Sequence, residues 1–479
     1  MLFTRGATIF LWLLMVCTLE FAFSLMPQRD AVIAGALLVG ISIVIQVRRE
    51  GFEASGPAAL FALTMTVFVW LRPLISFTST DFNLHTIEVL SGIPVADADE
   101  SIYFSVLVAS MVAYSATVLC HQLPTRAPEP NLAREVEPPF LPSFLQVWQL
   151  LFWGGAAASF LQSMLYLRYF LSGGSYYDLY LLGKSSVDVA GLSFLASFLF
   201  YGYLGLLLST DRSSPSVLTR RRWLWTTAFV LLSLFGLARG SRGEVFTQLL
   251  AGLWMTSITS RRRIPMKVWM FSGAGLFGLS QLVGSLRAGE GASLGGNTLV
   301  KLLEWFVYTQ GASGELVAVA NEKFGVSLAN LRFIFSPLLG PFRLFLDPEY
   351  GTQTAHQGLS SGLLSNELAY RVAPDYYLAG HGAGSSYLAE TYCALGLFGV
   401  LAATALLTWL VLRGPKVALR STSALFIFAG TLPYILFTPR ESLVFPVVPA
   451  LKALLIMAVC RALRETIYLL RSGADFQSG

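Results

Sequence analysis

Charge is what this chain has least of. Only 13% of its 479 residues are Asp, Glu, Lys or Arg, against roughly 25% in an ordinary soluble domain. That excludes a typical cytosolic enzyme. Cysteine is also scarce. Cys17, Cys120, Cys393 and Cys460 all fall in or at the ends of apolar segments, with no CxxC spacing and no pairing with His. They read as buried free thiols, which leaves a disulfide framework and a zinc site without support, and no metal is expected. The four histidines are widely spaced as well. No basic domain accompanies the net charge of +5, because the Lys and Arg residues sit in short loops between apolar runs. That pattern sets membrane topology and argues against a nucleic-acid partner. No inverted internal repeat of the kind found in many transporters is evident.

Apolar surface is what is present: 54% of the residues are hydrophobic and the mean hydropathy is +0.62. A spanning helix takes about 20 mostly apolar residues, so twelve would occupy about half the chain. Twelve candidate runs follow: Ala7 to Met26, Ala31 to Val47, Pro57 to Leu71, Ser101 to Cys120, Ser143 to Leu171, Val189 to Ser209, Trp223 to Ala238, Glu244 to Ile258, Val268 to Leu286, Ser385 to Leu412, Ser421 to Phe437 and Leu443 to Cys460. The expected class is therefore all-α: a polytopic helical membrane protein with about 12 spans. The first run is long enough to act as an uncleaved first span.

The Lys and Arg bias places both termini in the cytoplasm. Arg48 with Arg49, Arg220 to Arg222, Arg261 to Arg263, and Arg413, Lys416 and Arg420 then share the inner face. Residues 1–286 carry spans one to nine, residues 287–384 form a long extracytoplasmic loop, and residues 385–479 carry the last three spans and a cytoplasmic tail. The long loop is too apolar for a solvated linker. Asn297 to Gln310 and Leu331 to Leu346 are expected to be interfacial helices. A span over Asn297 to Gln310 would instead invert every later loop and put Lys416 outside. A Pro-rich stretch, Leu123 to Pro142, reads as a cytoplasmic connector.

The informative charges are those that break the positive-inside rule. Arg239 and Arg242 lie in the short outer turn Ala238-Arg239-Gly240-Ser241-Arg242-Gly243, Arg287 ends a span, and Arg440 sits in Thr438-Pro439-Arg440-Glu441-Ser442. Arginine stays charged and offers a planar fork to phosphate oxygens; snorkelling to headgroups, or pairing with Glu244 or Glu441, is the plainer account. His356 and His381 belong to the long loop, and His381 stands in the glycine-rich turn Ala379-Gly380-His381-Gly382-Ala383-Gly384. A neutral imidazole there could take a proton from a sugar hydroxyl. Glu390 lies inside the next span, where a carboxylate is expensive unless it faces a polar cavity or holds an arginine in place.

The order of these patches, with the Gly384-Ser385-Ser386-Tyr387-Leu388-Ala389-Glu390-Thr391-Tyr392 run and Gly396 and Gly399 after it, resembles the Wzy-type polymerases. These join oligosaccharide repeat units of O-antigen or exopolysaccharide and are related to the O-antigen ligases. The resemblance implies a membrane glycosyltransferase of the bacterial inner membrane, without metal or cofactor, acting at the periplasmic face. It implies undecaprenyl-diphosphate-linked oligosaccharides as substrates, membrane lipids as surroundings and a chain-length regulator as partner. It assigns Arg239, Arg242 and Arg440 to the catalytic site, Arg287 to diphosphate contact, and Tyr176 and Tyr177 of Gly173-Gly174-Ser175-Tyr176-Tyr177 to sugar stacking. The base stays open among His381, His356 and Glu390, because this chain has glycine and alanine where the ligases carry a His–Asn pair. An O-antigen ligase, a metal-dependent polyprenyl-phosphate transferase using Asp81, Asp97, Asp99 or Glu100, and a transporter or flippase are the alternative readings.

Overall fold

The computed structural model describes residues 2–76, 87–90, 93–95, 99–121, 144–172, 191–209, 215–238, 242–260, 310–340, 342–343 and 352–477. The regular secondary structure of these residues is helical except for one short antiparallel hairpin, Ile87–Leu90 with Ile93–Val95, in register Ile87 to Val95. The all-α class holds for the bundle, and the hairpin is a local exception to it. It falls in the Arg72 to Glu100 loop, and its strands are too short to carry an alternating pattern that sequence reading could detect.

Seven helices among the described residues are long and apolar enough to cross a membrane: Gln28–Gly51, Gly56–Ile75, Glu100–His121, Leu145–Tyr169, Leu192–Ser209, Tyr387–Ala418 and Thr422–Arg440. The remaining expected spans correspond to the helices Leu2–Ser24, Pro215–Ser233 with Phe235–Ala238, Arg242–Ser260 and Val447–Gln477; Val268 to Leu286 lies outside the described residues, as does the Pro-rich connector. All four cysteines are free, and Cys17 is exposed where a buried thiol was expected. Its helix presents Phe10, Leu11, Leu13, Leu14 and Phe21 outward, the surface a lipid-facing helix would offer.

Apolar surface alone cannot hold helices together in lipid, so close backbone approach and polar contacts carry the packing. The Leu145–Leu171 and Phe198–Ser209 helices meet at Gly155, where a Cβ would stand 2.2 Å from Leu199 N, and at Gly202, 2.4 Å from Phe152 N. Tyr203 then joins three helices: its hydroxyl lies 2.7 Å from Thr256 Oγ1 and 3.3 Å from Thr226 Oγ1, and donates to Gly252 O at 3.1 Å. Its ring stacks on Phe229 at 4.2 Å. This knot fixes the Arg242–Ser260 helix, whose first residues reach the candidate site.

The bundle has two chemically distinct ends. At one, Lys416 Nζ donates to Glu50 Oε1 at 2.6 Å and lies 2.8 Å from His121 Nε2, so the ends of three helices share one charged cluster. Lys416, Glu50 and His121 thus lie together at one end of the bundle. At the other end, residues of the long loop build a layer of short helices, Leu316–Phe324, Leu331–Phe335, Ala355–Ser360, Leu364–Val372 and Pro374–Leu378. The expected Leu331 to Leu346 helix is broken into an α-turn and the 3-10 turn Ser336–Leu339, with Pro337 in its first turn. Glu367 anchors the layer, accepting from Arg332 at 2.7 Å and from the Gly362 N–H at 2.9 Å. Burial raises its carboxyl above the ordinary range, with Arg332 and the Gly362 N–H opposing.

The loop layer is stitched into a broken helix. Within Tyr387–Ala418 the chain takes φ 63° at Gly396, a left-handed conformation that a side chain would strain. The break frees Cys393 O, which accepts from Ser327 N at 2.8 Å and Asn330 Nδ2 at 3.0 Å. Buried carbonyls need such partners. The break therefore serves as the socket for the loop, and the segment from Tyr387 to Leu395 becomes part of the site's wall.

Candidate functional site

The site is built around the turn Thr438–Arg440 and the residues that follow it. Pro433 lies inside the preceding helix and Pro439 in the turn itself, and the chain leaves the helix by a 3-10 turn, with Glu441 extended. Two groups from the start of the Tyr387–Ala418 helix grip this turn. Ser386 Oγ donates to Pro439 O at 3.0 Å. Glu390 accepts from Ser442 Oγ at 2.9 Å and Leu443 N at 3.1 Å on one oxygen, and from Ser385 Oγ at 2.9 Å on the other. Glu390 is 1% exposed. Its described partners are hydroxyls and a backbone N–H rather than a guanidinium, so it secures the arginine-bearing turn instead of the arginine itself.

Arg440 leaves the turn half-buried. Its Nη1 donates to Gln310 Oε1, and its guanidinium stands over the Phe68 ring at 5.9 Å. Phe68 belongs to a π-helical turn, Thr66–Trp70, a feature frequent at functional sites. The same ring packs edge-on to Phe437 at 5.8 Å. Phe437 in turn abuts Gly243, where a Cβ would be 2.2 Å from Phe437 Cε2. The head of the Arg242–Ser260 helix is thereby seated beside the Arg440 turn. Arg242 occupies its first position, next to the unsatisfied N–H groups of a helix start.

Gln310 stands next to a pair that sequence reasoning missed. Arg72 Nε lies 2.9 Å from Glu315 Oε1, with the two side chains 2% and 1% exposed. Gly311 between them allows the approach, since a Cβ there would meet Arg72 Cβ at 2.5 Å. Position alone groups Arg72 with the outer-loop charges. The available signals were an arginine directly after an apolar run and before Pro73, and a lone acid in the apolar stretch Gly311-Ala312-Ser313-Gly314-Glu315-Leu316.

The two candidate histidines lie in the adjoining loop layer. His381 follows Gly380, at φ 94°, and precedes Gly384, at φ 77°. Its ring stacks on Tyr376 at 3.7 Å and 21°, and its carbonyl accepts from Gln353 Nε2 at 3.1 Å. Burial pushes its imidazole below the ordinary value, which keeps it neutral and able to accept a proton. His356 is exposed on the Ala355–Ser360 helix, 3.4 Å from Ser360 Oγ of the same helix, and Gln353 three residues earlier connects the two histidine-bearing stretches. Arg239, Arg287, Tyr176 and Tyr177, and the side chain of Arg242, lie outside the described residues. So do Asp81 and Asp97, whereas Asp99 accepts from Ser101 N at 2.8 Å at the start of its helix.

One end of the bundle thus gathers a held arginine, a helix start bearing a second arginine, and a glycine-rich histidine turn. A family model described as O-antigen polysaccharide polymerase Wzy matches residues 7–469. The chain belongs to the Wzy family of O-antigen polysaccharide polymerases. Neither curated proteins nor solved structures gave a match. Wzy membership makes this a membrane polymerase of the glycosyltransferase type, acting in O-antigen polysaccharide synthesis. Among the described residues, the Ser385–Glu390 run and the Pro439–Arg440 turn of this Wzy-family chain are hydrogen-bonded to each other, and Gly396 is the break in the helix that follows.

Proposed function

We propose that the protein polymerises undecaprenyl-diphosphate-linked oligosaccharide repeat units by glycosyl transfer at the periplasmic face of the bacterial inner membrane, with both termini cytoplasmic. In this reading residues 287–384 are the periplasmic loop, and residues 1–286 and 385–479 carry the membrane helices. An acceptor sugar hydroxyl attacks the anomeric carbon of the donor glycan. The bond from that carbon to the diphosphate oxygen breaks, and the electron pair stays on the leaving diphosphate. The hydroxyl proton passes to His381, with His356 as the substitute; Glu390, buried with both oxygens engaged by Ser385, Ser442 and Leu443, is left to hold the turn.

The observation that carries the reading is the seating of the Arg242 helix start beside Arg440, through Gly243 and Phe437. Fixed cations aimed where negative charge develops stabilise it far better than mobile ones. Arg242 and Arg440, joined by Arg239 and Arg287, contact the diphosphate, and Tyr176 and Tyr177 stack on sugar rings. A chain-length regulator would meet the protein at the same face.

The test is incubation of purified protein in proteoliposomes with a synthetic lipid-linked repeat unit, with and without chelator. A ladder of products that persists with chelator is expected. Arg440→Ala should slow turnover about a hundredfold, the usual cost of deleting one charge-stabilising donor. A normal ladder from that variant, or transport without glycosyl transfer, would overturn the proposal.

A further inference from the structure

We propose that Glu390 is the positioning residue of the site: it sets the place of Arg440 without touching substrate. The inference rests on the reading of Arg440 given above and deepens it. The carboxylate is buried to 1% exposure and spends both oxygens within the protein, on Ser385 Oγ, Ser442 Oγ and Leu443 N. Burying a carboxylate is costly unless hydrogen bonds replace its water. Three donors do so here, and two of them belong to the strand of chain directly after Arg440. From the same helix start, Ser386 Oγ holds Pro439 O, directly before Arg440. Arg440 is therefore gripped on both flanks, and all of the grip originates between Ser385 and Glu390.

The far side of the arginine is fixed independently. Gln310 takes its Nη1, and Gln310 adjoins Gly311, which is pressed against Arg72 in the buried Arg72–Glu315 pair. With the backbone held by Glu390 and the guanidinium held by Gln310 and Phe68, small displacements of the turn convert directly into displacement of the charge. A shift of about 1 Å in a positioned group can cost about a hundredfold in rate. Substrate binding contributed elsewhere in the site is unaffected by such a shift, so the loss falls on kcat.

The role depends on the shape and hydrogen bonding of residue 390 and not on its charge. An amide can reproduce all three contacts: its oxygen accepts from Ser442 Oγ and Leu443 N, while its NH2 donates to Ser385 Oγ, whose hydroxyl can rotate to accept. The test compares Glu390→Gln, Glu390→Ala, Ser442→Ala and Ser386→Ala in the proteoliposome assay, with thermal unfolding in detergent as the folding control. Glu390→Gln is expected to keep at least half of the wild-type kcat. Glu390→Ala should lose about tenfold or more in kcat with KM within about twofold, the signature of removing an interaction made only in the transition state. Ser442→Ala and Ser386→Ala, which remove neutral partners and leave the carboxylate in place, should show smaller losses of the same kind, and they carry the test if Glu390→Ala does not fold. In an Arg440→Lys background Glu390→Ala should add little, because both act on one element.

Equal loss in folded Glu390→Gln and Glu390→Ala would mean that the charge or the proton of residue 390 is used directly, and would overturn the inference. So would normal kinetics in Ser442→Ala and Ser386→Ala together, or full additivity of Glu390→Ala with Arg440→Lys. Those outcomes leave the Arg440 reading intact. Wild-type turnover in Arg440→Ala would instead remove that reading, and the positioning role with it.

Discussion

Lys416 Nζ donates to Glu50 Oε1 at 2.6 Å, across 366 positions of sequence. The contact ties the far end of a late helix to the far end of an early one, and His121 joins them at 2.8 Å from the same ammonium. It places Arg413 and Arg420 with Arg48 and Arg49 on one face, and sets that face opposite the Arg440 turn.

The proposed periplasmic placement of the opposite end can be tested by labelling. In a Cys17→Ser background, with the other three cysteines buried, Ser360→Cys should react with a membrane-impermeant maleimide in spheroplasts. Arg420→Cys should react only after lysis. Labelling of both from outside would contradict the proposed placement of the two ends of the bundle on opposite sides of the membrane.

Gly243 and Phe437 are in contact with no room for a methyl group. Gly243→Ala must push the ring aside, and overpacking of this kind costs about 1–3 kcal/mol. Lowered thermal stability and lowered turnover are expected together, since the ring also packs on Phe68 beneath Arg440. Gly243→Ala combined with Phe437→Leu should recover part of the stability. A double variant as unstable as the sum of its parts would show that the contact is not the cause.

His381 carries a pH dependence of known sign. Burial lowers its imidazole below the ordinary 6.5, so between those two values the unfolded chain binds more proton than the folded one. The stability this group contributes, and its activity in the proposed base role, are then fully present above 6.5 and are lost as pH falls through the folded value. The rate profile of polymerisation should show an acid limb lying below pH 6.5, absent from the residual activity of His381→Gln. Persistence of the same limb in that variant would assign the proton elsewhere.

Glu367 behaves in the opposite sense. Burial raises its carboxyl above 4.5 in spite of Arg332, so the folded chain holds proton longer and stability declines as pH rises from 4.5 through the folded value. Amide exchange in the Leu364–Val372 helix should accelerate over that window in the wild type, beyond the intrinsic rate, and stay level in Glu367→Gln. A level profile in both would remove Glu367 as the titrating group.

Much of the layout was legible in one dimension, because lipid demands it: apolar runs near twenty residues predict spans, and Lys and Arg between them mark one face. The Pro439–Arg440 turn and the glycine-bounded His381 were legible for a related reason, since a rim arginine and clustered glycines are exceptions to what topology alone requires. The Ile87–Val95 hairpin and the Gly396 break were not, because neither leaves a trace in hydropathy.

By itself, the sequence determined a polytopic helical chain of the Wzy kind, with arginines in short turns between apolar runs. Tertiary structure alone decided which groups meet. Glu390 and Ser442 are 52 positions apart, Arg440 and Gln310 are 130, and Arg72 and Glu315 are likewise distant in sequence. No local propensity encodes such pairs. They form because a buried carboxylate or guanidinium must find hydrogen-bonding partners once its helix is packed, and the packing places those partners on other helices.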